Sequence, residues 1–411
     1  MKTLLLISWR NVWRNKRRSF VVIASVAIGI IGMLFTMAFM NSMTMQKIDN
    51  MINISLGHIA IHKKDFQDTM KLKYNFKPTS EIRNIVKEIS QGAHVTEKIK
   101  VQGFASSSET PRGVMIVGID PKVENKASKI YDYTIKKNGS QFLSDSNGDM
   151  ILISKSIAKK MEIGIGDRLP ITFQDSKNKI QKIAFFVTGL YQTPMEDFDK
   201  FVVFVGLKKL QKLTGLKNNI SEINIILKDK QNVETAQKKL LAKIKRKDLE
   251  ILSWKNMAPQ LVKAVKTFDS MMAIFFVILF AVIVISVLNT MIMAIMERFH
   301  EIGVMKSIGT QPKQIFIMVL FEAFNLSMIG LALGATITSL VLFYWSFGGV
   351  DLAMFAEGLR DVGSGSILHP YLRSKDILLA IAVVIGTAFI AALYPAVKAA
   401  RIKPLEALHY N

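Results

Sequence analysis

Four long apolar runs constrain this chain more than any other feature. Phe20 to Met40 is 21 residues without a charge, and Met271 to Met296 is 26 without one. Gln314 to Trp345 is 32 residues with Glu322 as the only charge, and Ile377 to Val397 is 21 with none. A bilayer core about 30 Å thick takes roughly 20 helical residues, so each run is long enough to cross it. Four buried helices in a soluble protein would need a very large surrounding domain. The 411-residue chain has one polar stretch of real size, residues 43–268. The expected fold is therefore membrane α-helical, with four transmembrane helices and a large α+β extracytoplasmic domain inserted between spans one and two. The first run exceeds the ~7–15 apolar residues of a cleavable signal peptide, and no small-residue cleavage site follows Met40, so it reads as a retained anchor.

Charge gives the expected orientation. Lys2, Arg10, Arg14, Lys16, Arg17 and Arg18 precede the first span with no acid among them, which puts the N-terminus in the cytoplasm. Four spans return the C-terminus to the same side, where Lys398, Arg401 and Lys403 face Glu406. The expected order is a cytoplasmic amphipathic helix over 1–19, spans over 20–42, 269–296, 314–345 and 377–397, and the outer domain with helical stalks over 43–268. Residues 297–313 form a cytoplasmic loop, 346–376 an outer loop and 398–411 a cytoplasmic tail. Residues 43–268 hold 39 Lys and Arg against 23 Asp and Glu, most of the net charge of +22. Long domains translocate regardless of charge, and such an excess reads first as a solubilising surface. Nucleic acid is not expected as a partner: these lysines face away from the cytoplasm and no aromatics are interleaved with them. The chain has no cysteine, which removes any Cys-based metal site and fits an outer domain without disulfides.

Residues 4–18 read as an amphipathic helix, with Leu5, Trp9, Val12 and Trp13 on one stripe and Arg10, Arg14, Arg17 and Arg18 on the other. Trp9, Trp13 and these arginines are candidate membrane-interface anchors, indoles at headgroup depth and guanidinium groups on lipid phosphates. Beyond the first span the helical pattern continues past Met51 as a stalk. Strands are expected at 57–62, 113–119, 150–153, 169–173, 182–190, 201–205 and 222–227, and helices at 80–90, 154–161, 207–213 and 233–244. That mixture is an α+β domain. A second stalk runs without a breaker from about Met257 into span two.

Catalytic and ligand motifs are weak. No GxxxxGK[ST] occurs, so no phosphate-cradling loop is expected and no cofactor is assigned. Ser156 and Lys159 match SxxK but lack the SDN and KTG partners of a serine acylase. His58 and His62 share a strand face without a third metal ligand. Asp145, Asn147 and Asp149 echo a calcium loop, but Met150 stands where glycine is required and Ser156 where a bidentate acid is required. The chain reads as no enzyme. Glu322 should face protein or snorkel, since a carboxylate in hydrocarbon is costly. Gly330 and Gly334 form a GxxxG that permits close helix packing, within one chain or between two. Pro395 should kink or end span four.

The run ERFHEIGVMKSIGTQPKQIFIMVLFEAFNLSMIGLALG, from Glu297 to Gly334, resembles the loop and third helix of the permeases of the macrolide-exporter and lipoprotein-releasing ABC transporter family. LYPAVKAARIKPLEALH at the C-terminus is similar to that family's closing motif, and SWRNVWRNKRRSF to its N-terminal helix. GVMIVGIDP, LISKSIAKKMEIGIGD and VTGLY resemble its extracytoplasmic core. The resemblance implies a non-catalytic permease that works as a dimer with a second copy or a paralogue, beside a cytoplasmic ABC ATPase that binds the ATP. ATP-driven motion would travel up the helices to the outer domain, which acts there on a lipoprotein or amphiphilic client. It also implies that Glu297, Arg298, Glu301, Ile302, Gly303, Lys306, Ile308 and Gly309 form a coupling helix seated in a groove of the ATPase, with Gly303 and Gly309 as breaks. The leading expectation is lipoprotein release at an inner membrane; the rivals are export of macrolides or peptides, regulation of cell-wall hydrolases, and a membrane-anchored sensor.

Overall fold

The computed structural model describes residues 2–90, 92–106, 111–137, 139–228 and 232–404; residues 405–409 of the closing motif and Glu406 fall outside them. Two compact units are present, one formed by Met1–Met43, Val265–Asp351 and Ile367–Asn411, the other by Thr44–Ala264 and Leu352–Ser366.

The first unit is helical. A short helix, Lys2–Arg14, is followed by a break at Asn15 and by the first span helix, Lys16–Met51. The other span helices are Pro259–Glu297, Pro312–Gly348 and Ser374–Arg401, and all four are long and apolar enough to cross a membrane. The first continues to Met51 and the second begins at Pro259, both beyond their apolar runs. Val22, Val26, Ile30 and Met33 of span one pack with Val319, Ala323 and Leu326 of span three and Val384, Ala391 and Ala392 of span four. In hydrocarbon there is little hydrophobic gain from helix association, so small residues and hydrogen bonds set the approach. A Cβ built on Gly330 would lie 2.8 Å from Val26 Cβ, and one on Gly334 2.8 Å from the Ala27 carbonyl oxygen. The GxxxG therefore packs against span one of the same chain. Pro395 is buried inside span four, whose helix runs on to Arg401, so the proline does not end it.

The second unit is α+β. Its strands are β1 (Ile59–Lys63), β2 (His94–Ser106), β3 (Pro111–Ile119), β4 (Met150–Ser154), β5 (Arg168–Gln174), β6 (Ile180–Tyr191), β7 (Val202–Gly206), β8 (Glu222–Ile226) and β9 (Leu249–Ser253). They are ordered β3-β7-β4-β6-β5-β2-β8-β1-β9, and an extra β2–β3 pairing closes the first six into a ring. The β3–β7 and β4–β6 pairs are parallel and the others antiparallel. The long strand β2 belongs to two lobes. Its first part pairs with β8, while Ile99–Ser106 pairs with β3 and Gly103–Ala105 also with β5. Inside the ring, Ile116, Ile151, Ile153, Leu169, Ile171, Phe185, Val203 and Val205 form one core. The other lobe packs Ile59, Ile61, Ile223, Ile225 and Ile251 against Ile82, Val86 and Leu240 of helices Ser80–Ile89 and Val233–Lys243. The expected strands and helices of this domain are present. β2, β9 and the helix Pro121–Ala127 were not among the expectations.

His58 and His62 are both buried, and His58 Nδ1 accepts a hydrogen bond from the Leu227 amide at 3.1 Å. Only His62 lies within β1, so the two do not present a shared strand face. Ser156 Oγ is 3.4 Å from Glu196 Oε1.

Candidate coupling site

The segment between spans two and three forms a nine-residue helix, Phe299–Ser307. A helix this short is marginal alone and needs tertiary contacts to hold it. Its end is set locally: Gly309 adopts φ +101, a conformation that strains other residues, and the Gly309 and Thr310 amides bond back to the Lys306 and Met305 carbonyls. Pro312 then opens the third span behind a Gln311–Gln314 capping box. Gly309 is thus a break, as expected. Gly303 is not: it sits buried within the helix.

Six charged groups fasten this helix to the membrane bundle. Arg298 Nη1 lies 3.3 Å from Glu322 Oε2, and its Nε lies 3.2 Å from Glu301 Oε2. Arg18 Nη2 donates to the other Glu322 oxygen at 2.9 Å, and Arg18 Nη1 is 3.5 Å from Glu297. Arg14 grips Glu301 with two nitrogens, one of them Nη1 at 2.9 Å from Oε2. The Arg14 hydrogen bond, with Arg298 beside it, holds the Glu301 carboxyl below its usual range. Glu322 is thus a helix-to-helix hydrogen-bonding centre facing protein, one of the two outcomes expected of a carboxylate in a span.

Lys306 makes a different link. Its ammonium donates to the carbonyls of Ala400, at 3.0 Å, and Ile402, at 2.6 Å, at the end of span four. The last carbonyls of a helix lack intrahelical partners and carry partial negative charge, so a lysine there satisfies both needs. The short helix is therefore bonded to the Lys2–Arg14 helix through Arg14, to span three through Glu322 and to span four through Lys306.

The eight candidate residues consequently divide. Ile302 and Gly303 face the bundle, while Arg298, Glu301 and Lys306 are engaged in internal bonds. Glu297, Ile308 and Gly309 are exposed, Ile308 with 79% of its surface open. Val304 and His300 share the exposed side and were not among the candidates. The signal available in the sequence was spacing: His300, Val304 and Ile308 follow one another at intervals of four and so fall along one side of a helix.

The interface helix needs one correction. Arg18 is not an anchor on the outer stripe: the break at Asn15 assigns it to the span-one helix, where it is buried against Glu322. Ser8, Asn11 and Val12 form the buried side of Lys2–Arg14, with Ser8 Oγ donating to the Met318 carbonyl at 3.1 Å. Trp9 and Trp13 stand on the exposed side in an edge-to-face pair, 5.9 Å between ring centroids, with Arg10 and Arg17 exposed as well.

Two family models match the chain. "MacB-like periplasmic core domain" covers residues 19–243, more than half of the chain, and "FtsX-like permease C-terminal" covers residues 273–404. Among curated relatives, the lipoprotein-releasing system transmembrane protein LolC of Neisseria meningitidis serogroup B is 22% identical over 421 residues, 97% of this chain and 96% of the relative. LolC of Buchnera aphidicola subsp. Schizaphis graminum is 26% identical over 358 residues, 84% of each chain. The macrolide export ATP-binding/permease protein MacB of Nitrobacter winogradskyi is 27% identical over 272 residues, 64% of this chain but 39% of the relative. With four apolar helices and a MacB-type periplasmic core between the first and second, the chain belongs to the MacB/FtsX family of ABC transporter permeases.

Proposed function

We propose that this chain is the non-catalytic permease subunit of an ABC transporter that releases lipoproteins from an inner membrane for delivery to an outer membrane. The observation that supports this reading over efflux is coverage: the likeness to LolC extends over nearly the full length of both chains, whereas MacB is matched over 39% of its length. In this reading the termini are cytoplasmic, and ATP is bound and hydrolysed by a separate ATPase. The exposed side of Phe299–Ser307, with Glu297, Val304, Ile308 and Gly309, would meet that ATPase. Arg298, Glu301, Ile302, Gly303 and Lys306 would pass its displacement to the bundle, since each is fixed to it by burial or a charged bond. Trp9, Trp13, Arg10 and Arg17 would rest in the cytoplasmic headgroup layer. A second permease, identical or paralogous, would cover the outward face of span two, which is the least buried of the four span helices.

The test has two arms. Purification of the complex from native membranes should recover a stand-alone ABC ATPase. Ile308→Asp should abolish that association, and Glu301→Ala and Gly303→Pro should uncouple hydrolysis from it. Depletion of the chain should then leave outer-membrane lipoproteins in the inner membrane. ATP turnover by the purified subunit alone, or lipoproteins sorted normally after depletion, would overturn the proposal.

A further inference from the structure

The link between spans three and four does not behave as a free connector. Residues Leu352–Ser366 form one compact unit with the outer domain, although both flanking segments belong to the helical unit. Two sets of contacts hold them there, and both lie within that unit.

The first set centres on Arg360. Its Nε donates to the Thr193 carbonyl at 3.0 Å, and its Nη2 lies 2.9 Å from Asp199 Oδ2 and 2.9 Å from Glu196 Oε2. Asp199 has 0% of its surface exposed, and its carboxylate also accepts from the Thr193 amide, at 3.0 Å, and the Thr193 hydroxyl, at 2.7 Å. The second set lies on residues 44–51 of the first stalk. Gln46 Oε1 accepts from Ser364 Oγ at 2.9 Å and from the Gly365 amide at 3.1 Å, while Asn50 Nδ2 donates to the Gly363 carbonyl at 3.1 Å. Gly363, at φ +81, makes the turn that brings the chain against the stem of Lys47.

We propose that Arg360 is a positioning residue that pins Leu352–Ser366 onto the outer domain, making this link a third attachment of the domain beside its two helical stalks. An exposed ion pair would be too weak for this role. This one has a fully buried acid at its centre, and removing the guanidinium would leave that acid uncompensated, which is the costly way to break a buried pair. The inference concerns attachment and does not depend on the client proposed above.

The absence of cysteine from the sequence makes a single reporter thiol unambiguous. Ser364 is fully buried, so Ser364→Cys in the purified full chain in lipid nanodiscs should react slowly with a maleimide. Adding Arg360→Gln should speed labelling at least tenfold, and Arg360→Lys should restore much of the protection. Ser221→Cys, a fully buried site immediately before β8, serves as the control and should stay slow in every background. Equal Ser364→Cys labelling with and without Arg360 would overturn the proposal. Equal acceleration at both sites would also overturn it, because Arg360 would then support the whole fold rather than one attachment.

Discussion

Arg298 and Glu322 meet at 3.3 Å, joining the short helix after span two to the interior of span three, and Arg18 closes on the other carboxylate oxygen. Removing one member of such a buried set leaves charge without compensation, at a cost of about 3–5 kcal/mol. Glu322→Ala should therefore destabilise the bundle strongly. The double variant Arg18→Met/Glu322→Met should be less destabilised than the sum of its single changes, because the two groups act as a unit. Denaturant titration of the single and double variants in mixed micelles measures both.

Close approach of spans one and three depends on the absence of side chains at Gly330 and Gly334. The Ala27 carbonyl cannot move without bending its helix, so Gly334→Ala should separate the spans and Gly334→Leu should do so severely. Overpacking of this kind costs about 1–3 kcal/mol. Thermal unfolding followed by circular dichroism should show Gly334→Leu well below wild type, with Gly386→Ala nearly unchanged because its nearest neighbour is a flexible Phe280 ring edge at 3.8 Å.

Lys306 holds the end of span four through two carbonyls. Lys306→Met keeps the aliphatic stem and removes the donor, a loss of about 1.5–3 kcal/mol for hydrogen bonds from a charged group. Amide exchange should quicken at residues 399–404 and remain unchanged in the outer domain. Unaltered exchange near Arg401 would mean the lysine contributes nothing to that terminus.

Asp199 titrates at about 6 rather than 3.8: burial raises it, and the hydrogen bonds of Thr193 and the charge of Arg360 only partly offset that. A carboxyl whose native value lies above its unfolded one binds more protons when folded, so its contribution to stability falls as pH rises from about 4 to 6. Wild type should therefore lose up to about 3 kcal/mol of stability from this group between about pH 4 and 6, and Asp199→Asn, with no carboxyl to titrate there, should lose less over the same range. Melting curves taken across that range should fall more steeply with pH for wild type than for the variant, whatever the variant loses with its Arg360 bond. Arg360→Gln should push the Asp199 value higher still.

The four spans, the outer domain between the first two and the stalks were legible in the sequence, because hydropathy over twenty residues and strand alternation are local properties. Gly309 was legible for the same reason, and so was the need for Glu322 to find protein. What the sequence did not carry was partnership. β2 escaped notice although Ile99 and Val101 alternate with Lys98 and Lys100, and only the fold reveals that these lysines are paired with Glu124 and Glu222. Arg18 read as one more interface arginine, since nothing within its own helix announces an acid 304 residues away. The 346–376 connector read only as an outer loop, and only tertiary structure brings Arg360 onto Asp199. Composition decides where a segment is at home, in lipid or in water; which charge neutralises which is decided when distant segments meet at low dielectric and each buried group must find a partner.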